Sequence, residues 1–309
     1  MQPDRDVTVS EVGPRDGLQM VHQVVPTADK TRWIAALAAA GLPEIEVASF
    51  VPPRLVPQMA DAEAVTRFAL GLPGLHVAVL VPNRRGAEAA VAAGAHKLTL
   101  TISASEQHSL ANLRKPRAAQ LEEARGIAGF VRGLGDARPS LEAGLSTAFG
   151  CSLQGEVPER DVVALAIALA EAGFDSVGLS DTAGYANPAQ LRRVIRLVRA
   201  EIGDRLDNLH LHDTMGLGLA NVATGVEEGI RVFDSALAGL GGCPFAPGAS
   251  GNIVTEDLVF LLESLRLRTG VDLDALMRAR EVLGSILPAE PLHGAFARAG
   301  RPTGWKAAA

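Results

Sequence analysis

Two histidines separated by one residue, His210 and His212, stand in LHLHDT at the end of an apolar run. In an extended strand, residues i and i+2 project to the same side. The two imidazoles therefore share a face and can hold one metal ion, whereas a lone histidine is more often a core or surface residue. The set has no thiolates of the kind a structural zinc site uses. An octahedral Mg or Mn site needs oxygen ligands, and Asp16, in GPRDGLQ just past an early apolar run, is placed to supply one. Asn252 closes the glycine-rich stretch AGLGGCPFAPGASGN. It reads either as an amide-oxygen ligand or as a turn residue.

Other polar residues fall beside these. Arg15 adjoins Asp16 and suits a developing enolate or a carboxylate, or else it anchors the N-terminal turn. Glu46 sits in the apolar run IEVAS, where a carboxylate needs a partner, and Arg15 is the natural one. Asp181, at the end of GLSD, reads equally as a helix N-cap and as an active-site carboxylate. Cys243 reads as a small buried hydrophobe or as a functional thiol carried on a glycine-permissive loop. Cys151, in TAFGCSLQGEV, reads as structural, and His22, His76, His96, His108 and His293 lack a comparable pairing.

The elements that must position these groups follow a repeat. An alanine-rich helical segment ends in glycine and an apolar segment follows, as in AVAAGAHKLTLTI and LAEAGFDSVGLSD. Alanine and leucine favour helix, glycine supplies a left-handed cap, and β-branched residues build the next strand. Strands are expected at 7–12, 44–48, 75–80, 97–101, 139–145, 176–179, 209–212 and 231–234, with room for a crossover helix in each gap. Eight such units predict an α/β fold, a (β/α)8 TIM barrel with a long glycine-rich loop after the eighth strand. No G-x-G-x-x-G follows the first strand, which removes support for an open dinucleotide-binding sheet. The chemistry of such a barrel lies at the C-terminal strand ends, where the candidate residues fall. The expected organisation is a catalytic barrel over 1–290 and a flexible C-terminal tail over 291–309.

The bulk properties agree. Of 309 residues, 48% are hydrophobic and 21% charged, a soluble globular profile large enough to need no disulfide framework. Two distant cysteines point to a reducing compartment. A formal net charge of −6 without a long basic run argues against nucleic acid as a partner. MQPDRDVTVSEVGPRDG carries no apolar signal stretch, so no membrane association is expected and the cytoplasm is the expected location.

The motifs EVGPRDGLQ (11–19), IEVASFVPPRLVPQMAD (45–61), GLSDTAGYANP (178–188), LHLHDTMGLGLAN (209–221) and GLGGCPFAPGASGNIVTEDLV (239–259) resemble those of the 3-hydroxy-3-methylglutaryl-CoA lyase family. That family belongs to a metal-dependent barrel superfamily that also holds isopropylmalate and homocitrate synthases. The resemblance runs from about Val9 to Gly270. It implies a Mg2+ or Mn2+ ion on Asp16, His210, His212 and Asn252, enolate stabilisation by Arg15, and assistance from Glu46 and Asp181. It also implies a reactive loop cysteine at Cys243, an acyl-CoA thioester substrate, a homo-oligomer and a place in leucine degradation. The implied reaction is retro-aldol (retro-Claisen) cleavage to acetyl-CoA and acetoacetate, with no redox or nucleotide cofactor. Condensing relatives usually carry Glu where this chain has Leu18, and a regulatory domain beyond the barrel. Two segments depart from the lyase pattern, TAFGCSLQG (147–155) and SASEQHSLANLRKP (103–116), and both are expected at the mouth. A lyase for a related thioester such as citramalyl-CoA, an acetyl-CoA-dependent condensing acyltransferase and a non-CoA 4-hydroxy-2-oxo acid aldolase are the alternative readings.

Overall fold

A computed structural model describes residues 5–241 and 251–308. Eight strands close into one barrel in sequence order: β1 (Thr8–Glu11), β2 (Glu44–Ser49), β3 (His76–Leu80), β4 (Lys97–Ser103), β5 (Ser140–Ser146), β6 (Ser176–Asp181), β7 (Leu206–Leu211) and β8 (Val232–Ser235). All neighbours are parallel, and β1 pairs with both β2 and β8, so no edge is left open. The alanine–glycine repeat does what its chemistry implies. Helix Arg84–Ala93 begins at Asn83, whose side chain accepts the Gly86 N–H at 3.0 Å, and it ends at Gly94 with φ 92°. The chain then enters β4 within three residues.

Period-2 alternation sorts each strand into two faces. Val77, Val79, Leu98, Ile102, Leu141, Leu145, Leu179 and Phe233 are buried in one continuous apolar cluster with residues of the surrounding helices, such as Val194 and Leu258. The alternate positions point inward and are unusually polar for a barrel interior, which branched aliphatics more often fill. Low in the barrel, Lys97 on β4 is clasped by Glu44 of β2 at 2.9 Å and by Glu142 of β5 at 2.7 Å. Burial opposes the Lys97 ammonium, but these two carboxylates hold its pKa well above the ordinary lysine value.

One ammonium does not balance the carboxylates around it. Asp207 sits where β7 slips by one residue against β6, a bulge that turns it toward Glu142 and Glu44. Burial, reinforced by those like charges, raises its pKa to about 7. A carboxyl with a raised folded pKa binds a proton in the native state that the unfolded chain has already released. Its contribution to stability is full below the unfolded pKa of 3.8 and is lost as pH rises toward about 7. Asp207→Asn is therefore expected to raise the melting temperature at pH 8, by the equivalent of about 1–2 kcal/mol after allowing for solvent screening. The gain should shrink steadily as pH falls toward 4. Thermal melts across that range check it, and a gain that is flat with pH would count against an ionised, uncompensated Asp207.

The stretch after residue 290, expected from sequence to be flexible, lies along helix Thr255–Ser264. The Phe260 ring stands 5.4 Å from that of Phe296 and 5.2 Å from that of Trp305, and the Trp305 indole N–H donates to Ser264 Oγ at 3.0 Å. Among the described residues, no helix is long and apolar enough to cross a membrane.

Candidate metal centre and active site

The chain leaves β1 through a π-helical turn, Gly13–Gly17, a rare geometry that tends to occur at functional sites. Its backbone is pinned by Glu11, which is wholly buried and accepts the Gly13 N–H at 2.9 Å, the Leu237 N–H at 2.9 Å and the Thr255 hydroxyl at 2.6 Å. One carboxylate thus ties the loop after β1 to the loop after β8. Burial raises its pKa to about 7 despite those three donors. The two loops then touch: a Cβ on Gly241, whose φ is +109°, would lie 2.9 Å from Asn252 Nδ2 and 3.1 Å from the Gly17 Cα. That close approach brings Asp16 and Asn252 together, and the Asn252 amide donates to Asp16 Oδ2 at 2.7 Å.

His210, on β7, and His212, just beyond it, share the inward face as their spacing predicts, with Nε2 atoms 3.2 Å apart. The ligand atoms of Asp16, His210 and His212 lie within 4.8 Å of one another. Two donors at right angles on an ion with bonds of about 2.1 Å stand about 3 Å apart, so the imidazole pair matches neighbouring positions on one divalent ion. The protonation states of His212 and Asp16 fit as well. Burial and the neighbouring His210 lower the His212 pKa to about 4, leaving it neutral. His210 is also penalised by burial, but the Asp234 carboxylate outweighs that and raises it. Burial opposes ionisation of Asp16 too, yet the Arg15 charge and the two histidines bring its pKa down to about 2. The Asn252 Oδ1 is buried without a partner. Rotation of the amide about its last bond aims that oxygen at the same point. Two imidazoles, one carboxylate and one orphaned amide oxygen suit a hard or borderline divalent cation.

Arg15 lies against this group. Its Nε donates to Glu46 Oε2 at 2.5 Å and its Nη1 to Asp16 Oδ1 at 2.6 Å, the pairing anticipated from the cost of an isolated Glu46. Thr99 donates a second bond to Glu46. Burial pushes the Glu46 carboxyl up, while Arg15 and Thr99 pull it back. Among the described residues Arg15 Nη2 has no hydrogen-bond partner, which leaves one guanidinium edge for a ligand oxygen.

Asp181 ends β6 and is fully buried. It does not cap the next helix: Asn187 does, its side chain accepting the Gln190 N–H at 3.1 Å. Instead the two Asp181 oxygens accept the Tyr185 and Ala186 N–H groups at 2.9 and 3.0 Å, clamping the turn beyond β6. Burial raises its pKa to about 6, moderated by those amides and by His210. Cys243 lies outside the described residues. Cys151 is buried and paired across a short bridge with Gly155, in keeping with a structural part. Sequence reasoning missed Glu11 and Asp234. For Asp234 the signal was its alternation with Val232 and its place on the strand beside β7; for Glu11 there was none beyond its adjacency to GPRDG.

The comparisons with known proteins agree with this geometry. The model of a family described as HMGL-like matches residues 6–283. A hydroxymethylglutaryl-CoA lyase of Bacillus subtilis is 40% identical over 293 residues, 94% of this chain and 97% of that protein. An (R)-citramalyl-CoA lyase of Chloroflexus aurantiacus is 40% identical over 306 residues, 95% of each chain. A solved HMG-CoA lyase of Acinetobacter baumannii, in complex with coenzyme A and 3-methylmalate, superposes with a TM-score of 0.91 at 39% identity, covering 99% of both chains. With the barrel, its rim constellation and these likenesses over nearly its whole length, the chain belongs to the HMGL-like family.

Proposed function

We propose that this chain is a carbon–carbon lyase that cleaves 3-hydroxy-3-methylglutaryl-CoA to acetyl-CoA and acetoacetate. The observation that carries the reading is the contact of Arg15 with both Asp16 and Glu46 beside the paired imidazoles. It sets a fixed cation with one open edge next to a divalent-ion site. In this reading Asp16, His210, His212 and Asn252 hold Mg2+ or Mn2+, which when bound supplies Lewis acidity toward the substrate hydroxyl and its neighbouring oxygen. Asp181, with a pKa of about 6, accepts the proton of the C3 hydroxyl. The C2–C3 bond breaks, its electron pair passes into the thioester enolate, and C3 becomes the ketone of acetoacetate. Arg15, held by Glu46 and Asp16, donates to the enolate oxygen without having to reorganise. The Cys243 thiol, assigned from sequence, returns a proton to C2 to complete acetyl-CoA. No redox or nucleotide cofactor enters, and the expected setting is a cytoplasmic homo-oligomer in leucine breakdown.

A second substrate has specific support. The Thr147–Gly155 segment, whose sequence departs from the lyase pattern, forms part of the rim. Thr147 adopts φ 59°, and Gln154 accepts the Ser105 hydroxyl at 2.9 Å, joining this segment to the other departing one. A reshaped wall there suits a different acyl group, such as that of citramalyl-CoA. The deciding experiment offers metal-loaded protein each thioester and identifies the ketone released with acetyl-CoA. Acetoacetate from the 3S hydroxymethylglutaryl thioester is the expected product. Pyruvate from citramalyl-CoA with no acetoacetate from the other would replace the substrate. Cleavage of 4-hydroxy-2-oxo acids alone, or condensation of acetyl-CoA with a 2-oxo acid, would replace the reaction.

A further inference from the structure

Register places Asp234 of β8 directly opposite His210 of β7, and Val232 opposite Asn208. The three inward side chains Asn208, His210 and Asp234 therefore meet within the barrel. Asp234 Oδ2 lies 3.1 Å from His210 Nδ1, and Asp234 Oδ1 accepts from Asn208 Nδ2 at 3.2 Å. The same Asn208 nitrogen donates to Glu142 Oε1 at 3.0 Å, and Glu142 is held in turn by Lys97 at 2.7 Å. An ionised carboxylate only accepts hydrogen bonds. Asn208 must therefore present its NH2 to both Glu142 and Asp234. A neutral His210 must likewise carry its proton on Nδ1, which leaves Nε2 bare and facing His212 Nε2.

We propose that Asp234 is the positioning residue of the metal centre, resting on the reading of that centre given above. It selects the His210 tautomer whose Nε2 can ligate and fixes the plane of the ring. Asn208 and the Lys97–Glu142 pair beneath it keep the carboxylate oriented. A column of buried and half-buried side chains thus links the ion pair low in the barrel to the rim, and divalent affinity depends on residues that never touch the ion. Carboxylates in this relation to a ligating histidine are worth about 10- to 100-fold in metal affinity. Without Asp234, the imidazole divides between its two tautomers and loses its fixed orientation.

The test measures Mn2+ affinity by calorimetry on the full chain and its variants, and the His210 tautomer by 15N NMR of the metal-free protein. At a pH above the raised His210 pKa, wild type should show the Nδ1–H form. Asp234→Ala should bind Mn2+ about 10- to 100-fold more weakly and show a mixture of tautomers. Asp234→Asn keeps an acceptor for Nδ1–H. It should retain the tautomer and recover part of the affinity, a rescue that a merely structural role would not give. Asn208→Leu should cost several-fold in affinity, less than the loss of Asp234. Folded Asp234→Ala protein that matches wild type in affinity, or that holds the Nδ1–H form unaided, overturns the assignment alone. Should Asp234→Ala fail to fold, Asp234→Asn decides: several-fold weaker binding with the tautomer kept supports the assignment, and unchanged affinity overturns it. Wild-type chain that binds no Mn2+ overturns the metal-centre reading and this assignment together.

Discussion

Alanine in place of His210, His212 or Asp16 is expected to leave a folded barrel that has lost nearly all lyase activity. The three ligand atoms lie within 4.8 Å of one another and come from two strand ends, so each variant opens the donor set without disturbing the apolar layer between strands and helices. A bound divalent ion supplies several kcal/mol of charge stabilisation, and each 1.36 kcal/mol is tenfold in rate, so a loss of at least about 10^3-fold is expected. Chelation of the wild-type protein should produce the same loss, and added Mg2+ or Mn2+ should reverse it in wild type but not in the variants. The fold should survive because the site is not its keystone. His212 Nδ1 and Asn252 Oδ1 have no partner among the described residues. Taking Asp16 away also leaves Arg15 its strongest partner, Glu46. Circular dichroism and Mn2+ titration read the two halves separately. Full turnover by verified metal-free protein would remove the ion from the reaction.

The barrel and the inner face of its rim were legible in the chain because both follow from local chemistry. Alanine-rich segments ending in a residue such as Gly94 can hardly avoid forming helix, left-handed cap and strand in succession. Strand alternation places His210 and His212 on one face regardless of what surrounds them. Glu46 announced a partner because a lone carboxylate between Ile45 and Val47 is too costly to leave unpaired. What stayed hidden depends on relations between distant segments. Asp234 meets His210 through the β7–β8 register, which no local pattern encodes. Asp181 offers the composition of a helix cap, but the amides it takes belong to Tyr185 and Ala186 in the turn, and Asn187 does the capping. Glu11 bonds residues more than two hundred positions away in the chain, so its part in joining two loops exists only once the barrel has closed. The polar interior around Lys97 was likewise invisible, since lysine and glutamate in a strand normally mark the solvent face.

Arg15→Gln is expected to lower kcat by about 10^2- to 10^3-fold, the loss associated with removing one preorganised donor from a developing oxyanion. Mn2+ affinity should change far less, because the guanidinium is not a ligand. Arg15→Lys should recover little. A single ammonium cannot keep the Nε and Nη1 bonds to Glu46 and Asp16 and still offer a third donor in the same plane. A structural explanation would predict similar losses, since either change leaves Glu46 buried among apolar neighbours with only Thr99 to answer it. The double variant Arg15→Gln/Glu46→Gln separates the two. Removing both charges takes away the uncompensated carboxylate, whose isolation is the costly part of breaking a buried pair. The melting temperature should return toward wild type, while kcat stays near that of Arg15→Gln. Two neighbouring residues whose substitutions couple in stability but not in rate would place Arg15 at the reacting oxygen. If kcat recovers in step with the melting temperature, Arg15 acts only by holding Glu46.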